Sequence, residues 1–383
     1  TPNQAAVPVL FTALDSHQEV VRLVAIRALI DRRNAAGHRR ILERYTSFSE
    51  PECAVVSAAL QRSTHHMKPA LEEAIDLCES ACHVVLKGRV YELLPALTRV
   101  AENRRHRHAA QAAATLVQLA QSLHQELTGE AHERTCDPYF VRRQLLPSLE
   151  KAIANYHQHN LLEIVDAFLL IVPPGNKTLL DVLTDVGHPC HHPVMESFGT
   201  SAVTSVLQLL AEMLHDTTAP RQVLEIVAQR RDRKFLDYLL HHVGSPPSLR
   251  VQENMRRLFA VPWLEDARDV LAELDGSAQA VAVELAVASG IDRSHLFDLL
   301  RFLLRHGRPE GRRASCEAIS RFHDRDADEC IVEALQDSDP RVQAAAVRQI
   351  RRRHVPNSME RLVGFLDHPA PEVRDAARSS LAE

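Results

Sequence analysis

Arginine supplies the densest chemistry in this sequence. Arg32 and Arg33 form one run, Arg230, Arg231, Arg233 and Lys234 a second, and Arg351, Arg352 and Arg353 a third. Arg104, Arg105 and Arg107 alternate with His106 and His108 in a fourth. A guanidinium is a planar fork of donors that fits carboxylate and phosphate, so each run is a candidate for an anion or an acidic partner. The segment GHPCHHP brings His188, Cys190, His191 and His192 together. Imidazole and thiolate bind soft metals, but zinc sites pair their ligands at C-x₂₋₄-C or H-x₃₋₅-H spacing and no second pair follows. Adjacent His191 and His192 do not readily face one ion, so His188, Cys190 and His192 are weak metal candidates and an interhelical loop is the expectation. Cys78 and Cys82 lie one helical turn apart, a spacing that buried cysteines on an amphipathic helix explain. G-x-S-x-G, G-x₄-G-K-[ST], G-x-G-x-x-G and H-E-x-x-H are all missing, and His132–Glu133 is a lone His–Glu pair. Neither catalysis nor a cofactor is expected.

The elements that must position these residues follow a repeat. Leu304, Leu335 and Leu366 open three copies at a period of 31 residues, and Pro309, Pro340 and Pro371 follow five residues later. Gly311, Val342 and Val373, then Ser315, Ala346 and Ala377, then Ile319, Ile350 and Leu381 complete the copies. The opening Leu ends one helix and the Pro begins the next, where its fixed φ and missing N–H fit the first turn. Val342, Ala346 and Ile350 recur at i, i+4 and i+8, which places them on one face. The central residue is small where two helices approach closely. A period of this length marks stacked units that bury their apolar faces on one another.

The pattern resembles the HEAT repeat, in which paired antiparallel helices carry a Leu, an Asp–Pro turn, a Val–Arg pair, a small residue and a closing Leu. LDHPAPEVRDAARSSL, from Leu366 to Leu381, carries the resemblance. LDSHQEVVRLVAIRAL repeats the spacing with Leu14, Asp15, Val21, Arg22, Ala25 and Leu29. The resemblance implies an all-α protein, a right-handed α-solenoid of stacked antiparallel helix pairs. The clearest repeats are expected at 7–33 and 296–383, with divergent ones between them in a single array over 1–383. It also implies a scaffold that binds another protein through a curved face or edge. The alternative within the family is an enzyme, similar to a bilin lyase or, further off, to a nucleic-acid repair enzyme.

Composition fits this reading. Aromatics are 4% of 383 residues, which suits helices packed through Leu, Ala and Val. Basic residues number 45 and acidic ones 50, a net charge of −5 with both signs interspersed, so excess positive charge gives no general affinity for nucleic acid. Seven cysteines without C-x-x-C argue against a disulfide framework and for a reducing, cytoplasmic setting. No signal-peptide pattern opens the chain, and the absence of an initial Met makes a fragment of a longer protein the expectation. The arginines that end helices complement the macrodipole there. The run Arg104, Arg105, Arg107 instead precedes the helix expected from Ala109, where positive charge opposes the dipole. It is the strongest partner-binding candidate, followed by Arg231, Arg233, Arg351, Arg352 and Arg353.

Overall fold

Pro309, Pro340 and Pro371 each stand in the first turn of a helix, as the spacing predicts. The computed structural model describes residues 4–32, 34–60, 67–77, 79–131, 137–258, 260–351, 353 and 355–382. Among them every regular element is helical. Arg33, Cys78, His132–Glu133 and Arg352 lie outside the described residues. No described helix is long and apolar enough to cross a membrane.

The chain divides into two compact units, Thr1–Val194 and Met195–Glu383. The first begins with α1 (Val7–Leu14), α2 (Glu19–Asp31), α3 (Ala35–Arg44), α4 (Glu50–Leu60), α5 (Met67–Leu77) and α6 (Glu79–Lys87). It continues with α7 (Leu94–Glu102), α8 (Ala109–Thr128), α9 (Pro138–Ala154), α10 (Tyr156–His159), α11 (Leu162–Ile171) and α12 (Lys177–Thr184). The unit boundary falls within α13 (His191–Thr200). In the second unit come α14 (Thr204–Leu214), α15 (Arg221–Gln229), α16 (Arg233–His242), α17 (Leu249–Arg256), α18 (Pro262–Glu265) and α19 (Arg268–Glu273). The last are α20 (Gly276–Ala288), α21 (Arg293–His306), α22 (Pro309–Ile319), α23 (Arg325–Ala334), α24 (Pro340–Ile350), α25 (Ser358–Gly364) and α26 (Pro371–Ala382).

Each unit is a two-layer stack of helix pairs. In the first, α3, α5, α7 and α9 pack in succession as one layer, while α6, α8 and α11 form the other. In the second, α20, α22, α24 and α26 line up in one layer against α21, α23 and α25. This is the solenoid arrangement, in which a helix meets its partner and the equivalent helix of the next repeat. The repeating positions hold the stack together: Val342, Ala346, Ile350, Val373 and Ala377 are fully buried. Burying a Val or Ile side chain contributes roughly 1.5–3 kcal/mol. Leu14, Ala25 and Leu29 are buried in the N-terminal copy as well.

One position departs from the consensus for a visible reason. Gly311 stands where the other copies have Val342 and Val373, and a Cβ there would come within 2.7 Å of Gln279 Cβ. Gln279 is fully buried on α20. Its Nε2 donates to the carbonyls of Leu271, Ala272 and Leu274 at 3.0, 3.1 and 3.2 Å, and its Oε1 accepts the Arg308 N–H at 2.6 Å. The amide therefore closes the end of α19 and the start of α22 together, and the glycine makes room for it.

Two apolar stretches are divided between helices. Ala70–Leu86 contains parts of α5 and α6, and Leu264–Leu274 is divided between α18 and α19. In the second case Ala267 leaves the helical region with ψ 35°. Trp263 is fully buried there as a core side chain and is not displayed on a surface.

Arginines at helix ends bond the carbonyls of a neighbouring repeat more than those of their own helix. Arg353, 7% exposed, donates to the carbonyls of Ile319 (2.7 Å) and Phe322 (2.9 Å) at the end of α22 and pairs with Asp328 at 2.7 Å. Arg230, 5% exposed, does the same for Phe198 (2.9 Å) and Ser201 (3.0 Å), with Asp232 as its carboxylate. Removing a buried charged donor strands its partners, at a cost of about 3–5 kcal/mol. Arg353→Met is therefore expected to lower the urea-unfolding free energy by about 3 kcal/mol, whereas exposed Arg231→Ala should change it by less than about 1 kcal/mol.

Candidate interaction surfaces

The Arg104–Arg107 run occupies the turn between α7 and α8, and Arg104, Arg105 and Arg107 are all exposed. The turn is built from its own polar side chains. Asn103 Oδ1 accepts the Arg105 N–H at 3.3 Å and its carbonyl accepts the His106 N–H at 2.8 Å. His106 Nδ1 accepts the His108 N–H at 3.2 Å, and the His106 carbonyl accepts the Ala109 N–H at 3.1 Å. A rigid turn thus carries three outward arginines at the N-terminus of α8, where the helix dipole disfavours them. Arg104 Nη2 also reaches the carbonyl of Asn160 at 3.4 Å, beyond the C-terminal end of α9.

GHPCHHP uses the same construction. Asp185 Oδ1 accepts the Gly187 N–H at 2.9 Å and the Asp185 carbonyl accepts the His188 N–H at 2.9 Å. His188 Nδ1 then accepts the Cys190 N–H at 3.1 Å, and its carbonyl accepts the His191 N–H at 2.9 Å. The weak metal candidates His188, Cys190 and His192 are each placed differently in this arrangement. The Cys190 thiol points inward to the carbonyl of Ile153 at 3.5 Å, and burial pushes its pKa up to about 12, so it is a protonated core group. His192 is exposed and His188 has its Nδ1 committed to the turn, so the three do not converge. Among the described residues, no group of three or more His, Cys, Asp or Glu could hold a metal ion.

In the second unit, Arg231 and Arg233 lie exposed on one ridge, each facing an acid. Arg231 meets Asp266 at 3.1 Å and Arg233 meets Glu273 at 3.0 Å. A concavity of about 440 Å³ beside them alternates Arg233 and Arg308 with Asp237, Glu273, Asp275 and Glu310. Its four carboxylates outnumber its two guanidinium groups, so the ridge projects no positive field there. Asp275 caps α20: the Ala278 N–H, then the Ser277 hydroxyl and His241, hold its pKa down at about 2. His241 is raised above its usual value, first by its hydrogen bond to the Asp237 carbonyl and further by Asp275 at 2.7 Å. The third run does not join this ridge. Arg351 is half-buried and donates to the Ser380 carbonyl at 2.6 Å. Burial of Arg353 corrects its expected place at a binding edge, because its guanidinium is consumed inside the stack.

A surface that the sequence reading missed lies at the N-terminal end of α9. Tyr139 and Phe140 are 58% and 48% exposed, the only exposed aromatic side chains among the described residues. Arg142 lies over the Tyr139 ring at 5.4 Å and Arg143 over the Phe140 ring at 6.0 Å. With Leu146, Pro147 and Pro173 they line a concavity of about 550 Å³. The signal was present as aromatic–arginine pairs at i, i+3, on the face opposite buried Val141, Leu145 and Leu149.

Residues 297–382 match the family described as HEAT repeats. No curated protein matches the chain. Similar solved structures include an engineered protein of the Northeast Structural Genomics Consortium, 15% identical over 98% of each chain with a TM-score of 0.38. Another concerns tubulin recruitment and assembly by microtubule polymerases with Tumor Overexpressed Gene (TOG) domain arrays, 12% identical over 97% of this chain and 93% of that one, with a TM-score of 0.28.

The two histidines with displaced pKa values should titrate on opposite sides of the ordinary 6.5. Burial lowers that of His188, so the stability its neutral form contributes is complete above pH 6.5 and is lost as pH falls toward its folded-state value. His241 is raised, so its contribution is complete below pH 6.5 and is lost as pH rises through its folded-state value. Imidazole NMR titration should give a midpoint below 6.5 for His188 and above 6.5 for His241, and an inverted order would contradict these environments.

Proposed function

We propose, from a chain whose residues 297–382 are HEAT repeats, that this protein is a cytoplasmic scaffold that binds another protein through the turns and faces of its helical stack. Repeat stacks present extended surfaces whose composition is free to vary once the small and apolar core positions are kept. One observation carries the reading: Arg104, Arg105 and Arg107 stand exposed on a self-braced turn at the positive end of α8. Such a placement works against the helix, so its role is better sought in an external contact than in the fold. An acidic face on the partner would relieve the local repulsion and fix orientation, with apolar contacts supplying most of the affinity. Arg231 and Arg233 form a secondary edge whose salt bridges would exchange partners on binding.

Affinity capture from the native cytosol tests the proposal, using the chain beside the triple variant R104E/R105E/R107E. A discrete protein recovered by the chain should fall at least tenfold in the variant. Equal recovery would remove this turn from the contact, and recovery of chromophore or nucleic acid in place of protein would overturn the scaffold reading.

A further inference from the structure

The Tyr139–Pro173 concavity differs from the salt-bridged arginine surface in how its charges are used. Arg231, Arg233, Arg305, Arg312 and Arg341 all have carboxylates within 3.1 Å. Arg142 and Arg143 have none among the described residues and rest on aromatic rings instead. One oxygen of each carboxylate that lines the concavity is engaged by neutral donors. Asp137 Oδ1 caps α9 by accepting the N–H groups of Tyr139 (3.0 Å) and Phe140 (3.3 Å), and Glu150 Oε1 accepts Asn176 Nδ2 at 2.6 Å. Two guanidinium groups, those of half-buried Arg142 and exposed Arg143, each rest against a ring beside an apolar floor.

The backbone adds an acceptor. Pro147 lies inside α9 and has no N–H for the carbonyl of Arg143, four residues earlier. That carbonyl lacks its intrahelical bond and lies on the stretch of helix that lines the concavity. Exposed aromatics, arginines without a carboxylate partner and a backbone carbonyl deprived of its i+4 donor together make the composition of a binding hot spot.

The geometry points to this concavity as the docking site for an extended acidic segment of a partner protein that places an aromatic side chain between Phe140, Leu146 and Pro173. The acidic side chains would take the two guanidinium groups as charge-assisted hydrogen bonds. A backbone N–H of the segment would meet the Arg143 carbonyl. This inference rests on the scaffold reading and deepens it by naming what is bound. It also separates two surfaces of one unit: Arg104 touches Asn160 past the C-terminal end of α9, and Arg143 lies about 17 Å along the axis from that end.

The test is selection of random twelve-residue displayed peptides on the whole chain, followed by fluorescence anisotropy of the enriched sequences at low and physiological salt. Enriched peptides should be acidic with at least one aromatic residue. Their affinity should fall at least tenfold with R142E/R143E and with Tyr139→Ala/Phe140→Ala, weaken with salt, and stay unchanged with R104E/R105E/R107E. The variants alter exposed Tyr139, Phe140 and Arg143 and half-buried Arg142, and matching circular dichroism melts show that any loss is not unfolding. Neutral or basic enriched sequences, no enrichment, or binding that survives R142E/R143E would overturn the inference. If that binding instead disappears with R104E/R105E/R107E, the scaffold reading stands and only this docking site falls.

Discussion

Helix ends are the constraint from which most of this structure follows. Every helix leaves its last carbonyls without an intrahelical donor, and a stack of short helices buries many such ends. Several buried polar side chains are placed where these carbonyls are. Asn254 donates to the carbonyls of Leu214 and Asp216 behind α14, and Gln279 to those at the end of α19. Buried His159 serves Ala152 through Nε2 while its Nδ1 accepts the Leu161 N–H, which assigns its neutral Nε2–H tautomer. Arg230 and Arg353 close α13 and α22. Arginine recurs because one guanidinium reaches two carbonyls and still holds a carboxylate.

The same constraint separates structural from available arginines. A guanidinium bound to two main-chain carbonyls is fixed and enclosed, whereas one paired with an exposed carboxylate gains little and exchanges readily. Arg353 and Arg231 embody these extremes within one unit. Between them stand arginines that neither close a helix nor meet an acid, and the α9 pair is the clearest instance. Surface chemistry in this protein is therefore what remains after the helix ends have been served.

The repeat was legible because its determinants are local. Pro at a first helical turn and Val, Ala, Ile at i, i+4, i+8 encode boundary and face within a dozen residues. Even the turn at Leu366–Leu381 reads through, since Arg374 reaches back to the carbonyls of His368 and Pro369. The fates of the Arg230–Arg233 and Arg351–Arg353 runs were not legible, because they depend on carbonyls and acids some 25–40 residues away. Nothing in Arg351–Arg353 itself states that the third residue turns inward toward Ile319. The detailed role of the histidine turns was not legible either: His188 and His106 accept through Nδ1 the backbone N–H two residues on. Tyr139 and Phe140 read as the start of an amphipathic helix until the packing showed which face of α9 stays uncovered.

The direction of these closures has a consequence for synthesis. The side chain that completes a helix usually comes later in the chain: Arg44 for Leu14, Cys190 for Ile153, Arg230 for Phe198, Asn254 for Leu214, Arg353 for Ile319. On the ribosome, α14 would keep open carbonyls until Asn254, forty positions downstream, has left the exit tunnel. At roughly 5–20 residues per second this is a delay of about 2–8 s. Nascent repeats would mature one step behind translation, each held unfinished until its successor emerges.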